Sequence, residues 1–158
     1  MNMRKITLCA VSILFLINET SAETSIKSIK ILDGDTIQVT HQNSEESLYR
    51  LSNIDAPEAP QEGGSRSARN LHKLLNVPTS KIKYKVDFVD RFHRENVTIF
   101  VDKKNINLQQ VKDGYAWALT KNLMPAFHDA EYAARKFGRG IWSSQNQNPP
   151  WEFRSNIK

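Results

Sequence analysis

At 158 residues the chain is long enough for one domain with a real core and too short for two to be expected. Apolar residues at 39% and charged residues at 25% are the proportions of an ordinary globular protein. Lys and Arg outnumber Asp and Glu by 22 to 17, and the resulting +5 favours polyanions as partners without excluding solubility as its only use.

The first residues read as a leader. Arg4 and Lys5 precede an apolar run, Ile6 to Ile17, and small residues follow at Thr20-Ser21-Ala22. That order predicts a secretory signal peptide over 1–22, cleaved after Ala22, and a single domain over 23–158. The apolar run is short for a permanent membrane span. Cys9 lies inside it behind Leu8 rather than a small residue, so a lipoprotein signal is set aside. Cleavage would remove the only cysteine and leave an exported chain without disulfide or thiolate chemistry.

After the leader, Ile26, Ile29 and Ile31 lead into a turn at Asp33-Gly34-Asp35, and Thr36 to Thr40 alternates with a period of two. His41 to Glu46 is a polar connection. Ser47 to Ile54 predicts a third strand, with Leu48, Arg50, Ser52 and Ile54 on one, inward-looking side. Pro57 and Pro60 then break regular structure. Ser65 to Leu75 has Ala68, Leu71, Leu74 and Leu75 at helical spacing, with Ser65 as candidate N-cap. Lys81 to Asp90 and Asn96 to Val101 read as two more strands joined by Arg91-Phe92-His93-Arg94. Asn107 is a candidate cap for a short helix through Val111, stopped by Gly114. Pro125 to Phe137 predicts a last helix, with Phe127, Ala130, Ala134 and Phe137 on one face. The tail from about 143 is polar, apart from Trp151 and Phe153, which would pin it to the body. Five short strands with a helix after the third is the element order of an OB-fold, a partly open Greek-key barrel that commonly binds oligonucleotides. The expected class is therefore mainly β with about three helices.

The chemistry-bearing residues gather at the ends of these strands. Asp33, Asp35, Asp55 and Glu58 are four acids in a short span, an arrangement suited to a hard cation such as calcium. Each also has a plain use, since Asp-Gly favours a hairpin turn and a proline turn leads naturally into a helix. Arg50, in mid-strand, needs a carboxylate or a phosphate partner if buried. Arg94 closes a polar hairpin. Carboxylates with two arginines suit phosphodiester hydrolysis, where a metal and guanidinium forks stabilise the charge of the transition state.

Asp33-Gly34-Asp35-Thr36, then Tyr49-Arg50-Leu51 and Ile54-Asp55-Ala56-Pro57-Glu58, resemble the signature of the staphylococcal-nuclease-like (thermonuclease) family. Asp90-Arg91-Phe92-His93-Arg94 is similar to its second motif. Gly138-Arg139-Gly140-Ile141-Trp142 and Pro150-Trp151-Glu152-Phe153-Arg154 are likewise family-like, so the resemblance runs from about Ile26 to Arg154. It implies an OB-fold barrel with three helices that cleaves DNA and RNA with calcium and leaves 3′-phosphates. Asp35 and Asp55 would ligate the ion by carboxylates and Ala56 by its carbonyl, with Asp33 in support. Glu58 would be the general base, or orient the water. Arg50 and Arg94 would grip the phosphate, and Arg94 would assist the leaving oxygen. Arg91 and Tyr115 are candidates for contact with substrate, core packing being the more ordinary use of Tyr115 and Trp117.

The chain departs from the family at three places. Ala56 replaces a hydroxyl residue, which a backbone ligand tolerates. His93 replaces a glycine, a change that either forces positive φ on a histidine or displaces Arg94. The segment from Leu119 lacks a tyrosine expected to hold a base. The rival reading is a non-catalytic nucleic-acid-binding OB module. A monomer is the simplest expectation, with no stable protein partner.

Overall fold

The computed structural model describes residues 25–119, 124–144 and 147–157; the expected leader over 1–22 lies outside them. In chain order the elements are β1 (Ile26–Ile31), β2 (Thr36–His41), β3 (Glu46–Leu51), the short β4 (Ile54–Asp55), α1 (Gly64–Leu75), β5 (Ile82–Val89), β6 (Glu95–Val101), the short β7 (Lys104–Asn105), α2 (Ile106–Lys112), the short β8 (Trp117–Ala118), α3 (Pro125–Lys136) and α4 (Pro150–Asn156). None of these helices is long and apolar enough to cross a membrane.

The alternation in β2 gives the strand one inward face. Ile37, Val39 and His41 point inward while Thr36, Gln38 and Thr40 are half-buried. β1, β2 and β3 form an antiparallel meander. The chain then leaves through α1, so β6 returns parallel to β3, pairing Tyr49 with Glu95 and Leu51 with Val97. β5 lies antiparallel on the far side of β6. The order β1-β2-β3-β6-β5 is the five-stranded Greek key of an OB-fold. Residues of α1 and its exit (His72, Leu75, Val77 and Thr79) line the gap between β1 and Ile82 at the start of β5.

The core is made by Ile37, Val39, Tyr49, Leu51, Leu71, Val97, Ile99, Ile106 and Val111, contributed by both halves of the sheet and by α1 and α2. A fully buried leucine such as Leu71 contributes about 1.5–3 kcal/mol over an exposed one.

Several local expectations are corrected. The third strand ends at Leu51; a turn with Asn53 at φ 68° separates it from β4. Tyr49 and Leu51 are its inward residues, whereas Leu48 is 43% exposed and Arg50 lies on the opposite face from them. The turn shifts the parity, so Ile54 is buried although it lies in register with Arg50. Helix α1 starts from Gly63 in the left-handed region rather than from a Ser65 cap. Asn105, not Asn107, caps α2 by accepting the Leu108 amide at 2.9 Å. Asn107 is instead a buried cross-tie, taking the Ile99 amide and donating to the carbonyls of Ser52 and Val97. Phe137 falls off the inward face of α3 and is 65% exposed. The described residues hold four α-helices rather than about three, because part of the expected polar tail is α4.

Candidate active site

The first carboxylates are placed by the turn between β1 and β2. The Asp33 side chain accepts the Asp35 amide at 2.9 Å, fixing the tip. Gly34 is needed for close approach: a Cβ there would fall 1.8 Å from Ser67 Oγ and 2.7 Å from the Ala56 side chain. The buried Gln110 amide of α2 donates to the Gly34 carbonyl and to the Ser67 carbonyl, both at 3.0 Å. Two helices therefore clamp the turn that presents Asp35.

Arg50 is the centre of the cluster. Its Nη1 donates to Asp35 Oδ1, and its Nη2 donates to Asp55 Oδ1 at 2.8 Å and to the Ile54 carbonyl at 3.3 Å. Both carboxylates are almost fully buried, at 4% and 3% side-chain exposure, against 16% for Arg50. Asp35 Oδ2 also takes the Ala56 amide at 2.6 Å, and Oδ1 takes the Thr36 hydroxyl at 3.0 Å. Burial opposes the charge on Arg50, but Asp35 and Asp55 more than offset it and raise its pKa. Burial also pushes the Asp35 carboxyl up; Arg50 pulls it back, while Asp33 and Asp55 add to the rise. A cation beside Asp35 would favour its ionised form.

Asp55 reaches this point because β4 pairs with β8, setting Asp55 opposite Trp117. Three residues on, the Glu58 amide donates to the Gln61 side chain at 3.1 Å. Gly64 admits that turn, since a Cβ would lie 2.0 Å from the Glu58 carbonyl oxygen. Glu58 comes to the cluster through Arg154 on α4, which the sequence marks only as the end of the family-like Pro150–Arg154 run. Arg154 Nη1 donates to Glu58 Oε1 at 2.6 Å and to Asp55 Oδ1 at 3.2 Å, and its Nη2 donates to Asp55 Oδ2 at 2.8 Å. Those bonds to Asp55, then the one to Glu58, hold its guanidinium pKa above the usual value.

The second motif stands apart from these contacts. Asp90 and Arg94 close the β5–β6 hairpin on each other, with Arg94 Nε at 2.9 Å and Nη2 at 2.8 Å from Asp90 Oδ2. Asp90 Oδ1 also takes the amides of Phe92 and Arg94 at 2.9 and 3.0 Å. Slight desolvation works against ionisation, but these amides and the guanidinium hold Asp90 down to about 2. His93 adopts φ 59°, so the histidine takes the left-handed conformation that a glycine would adopt freely. The Arg91 and Arg94 guanidiniums lie 4.8 and 5.4 Å from the Phe92 ring centroid. Tyr115 is half-buried, and its carbonyl accepts Ser67 Oγ at 2.6 Å. Trp117 is buried against Trp142, 4.8 Å between ring centroids, which makes it a packing residue.

The donor set suits a hard divalent cation. Asp35 and Asp55 offer buried carboxylate oxygens, Ala56 a carbonyl in the same segment, and no thiolate or imidazole appears in the contacts that build the cluster. No three acidic, histidine or cysteine side chains converge as a cage among the described residues.

A family model described as Staphylococcal nuclease homologue matches residues 49–144, a span that includes Arg50, Asp55, Glu58 and Arg94 but neither Asp35 nor Arg154. A protein named "Uncharacterized endonuclease" from Haemophilus influenzae is 30% identical over 158 residues, 98% of this chain and 88% of the relative. A "Micrococcal nuclease" from Shigella flexneri is 33% identical over 138 residues, 80% of this chain and 78% of the relative. "Protein ParB" from Escherichia coli is 29% identical, covering 92% of this chain and 87% of the relative.

Proposed function

This chain belongs to the staphylococcal nuclease homologue family and is a nuclease, a hydrolase of phosphodiester bonds, and on that premise we propose that it is exported, depends on calcium, accepts both DNA and RNA and leaves 3′-phosphate ends. The observation that carries the proposal is the meeting of Asp35, Arg50 and Asp55 in one buried cluster with Glu58 at its edge. A fixed OB surface with net positive charge suits a polyanionic substrate.

Asp35, Asp55 and the Ala56 carbonyl would hold the ion, with Asp33 keeping the Asp35 turn in shape. Bound there, calcium supplies positive charge at the phosphate and makes a nearby water more acidic. Glu58 takes one proton from that water as its oxygen bonds to phosphorus. The bond from phosphorus to the 5′ oxygen breaks; Arg94 meets the negative charge on that oxygen, which takes its proton from solvent water, and Glu58 returns its own proton to solvent. Arg50, already fixed in direction by two carboxylates, uses its remaining N–H groups toward the phosphate oxygens. Arg94 must leave Asp90 to act, and it can: its side chain is 37% exposed and its partner lies in its own turn. Arg91 and Tyr115 remain candidates for contact with the flanking nucleotide. Export rests on the leader pattern over 1–22, and a monomer acting without a protein partner is the simplest state.

The test is hydrolysis of single-stranded DNA and RNA by the chain from Glu23, with calcium, with chelator, and after Glu58→Gln. Calcium-dependent cleavage of both, collapsing in the variant and giving 3′-phosphate ends, is the expected result. Binding without cleavage under any divalent ion would leave the non-catalytic OB module in its place.

A further inference from the structure

We propose that Arg154 is a further residue of the reaction site, one that sets its divalent-cation affinity by competing with the cation for the Asp55 and Glu58 carboxylates, so that loading the site detaches α4. The inference rests on the calcium reading above and goes beyond it. The family model spans residues 49–144 and does not itself include this arginine, although the family resemblance extends to it.

The geometry leaves little room for both cations. Asp55 Oδ1 already carries two guanidinium donors, from Arg50 and Arg154, and Oδ2 carries a third from Arg154. Glu58 Oε1 is taken by the same Arg154 nitrogen. Asp55 is 3% exposed, so water screens a like-charge contact poorly there, and a doubly charged ion at its oxygens repels the fork strongly. Arg50 cannot be the group that yields, because it is held by Asp35, Asp55 and the Ile54 carbonyl, with its side chain 16% exposed. Arg154 is 44% exposed and can swing into solvent.

What Arg154 holds is lightly held otherwise. Pro150 is the only buried residue of α4. Among the described residues its other contacts include Trp151, edge-on to Trp117 at 6.4 Å, the half-buried Phe153, and the Asn148 carbonyl just before it, which accepts from the Gln61 side chain. The two-point ionic contact is therefore a main tether of this helix. By linkage, whatever the fork adds to α4 docking it subtracts from cation binding.

Calorimetric titration of the wild-type chain, Arg154→Gln and Arg154→Lys with calcium chloride tests this, together with hydrogen exchange of the 150–156 amides with and without calcium. Removing a charge-assisted but partly exposed competitor should tighten the calcium Kd about fivefold or more in Arg154→Gln. Arg154→Lys, keeping charge without the fork, should fall between. In the wild type, calcium should speed exchange across α4 and shift the Trp151 emission. Equal or weaker calcium binding by Arg154→Gln, or unchanged or greater α4 protection with calcium, would overturn the inference and leave the calcium reading standing. Absence of calcium binding by all three proteins would overturn both.

Discussion

Asp35 and Asp90 each hold an arginine, but across 15 residues in the first case and four in the second. The Asp35–Arg50–Asp55 cluster is assembled by three strands and clamped by two helices. The Asp90–Arg94 pair is assembled by one hairpin turn and is partly exposed, Arg94 more than Asp90. The first cluster cannot rearrange without disturbing the core; the second can open at small cost. A site built from both has a rigid half that positions charge and a mobile half that is free to follow substrate.

The sharpest way to break that contrast is Arg50→Met. It leaves Asp35 buried without a guanidinium and Asp55 with only Arg154, and should cost about 3–5 kcal/mol, measured by urea denaturation, together with detectable cleavage. A loss below about 1 kcal/mol would mean that the cluster is far more hydrated than its burial implies. Glu58→Gln comes next in effect. Its side chain is 32% exposed and the amide oxygen still accepts from Arg154, so stability should move by less than about 0.5 kcal/mol. Activity should fall by about 10²–10⁴ if Glu58 is the base.

On the mobile side, His93→Gly should raise stability by up to about 1 kcal/mol, because glycine relieves the left-handed strain while losing more backbone entropy. A lower melting temperature would show that the histidine side chain contributes more than its backbone costs. The smallest effect belongs to pH. Asp90 is depressed from 3.8 to about 2, so its contribution is complete above about 4 and lost as pH falls through 2. Wild type and Asp90→Asn should therefore differ in melting temperature at neutral pH and converge toward pH 2; a constant gap would place the effect elsewhere.

Local chemistry made much of this legible in the sequence. Alternation in β2, the Asp-Gly turn and the Gly114 stop depend on neighbours within a few residues, and all are found in the structure. The phase of β3 was misread because Leu48 looks inward by hydrophobicity, yet only the Ser52–Asn53 turn decides which parity meets the core. Asn107 was misread because cap and cross-tie use the same amide, and only the backbone groups of Ser52, Val97 and Ile99 select between them.

The sequence by itself determined the residue types of the site, the approximate succession of strands along the chain and the family, because motif spacing and side-chain period are properties of the chain alone. Tertiary structure alone decided which charges meet. Arg50 lies between Asp35 and Asp55 because β2, β3 and β4 converge, and Arg154 reaches Glu58 across 96 residues because α4 folds back onto the turn that carries it. A guanidinium's partner is set by distance through space, and sequence separation holds no record of it.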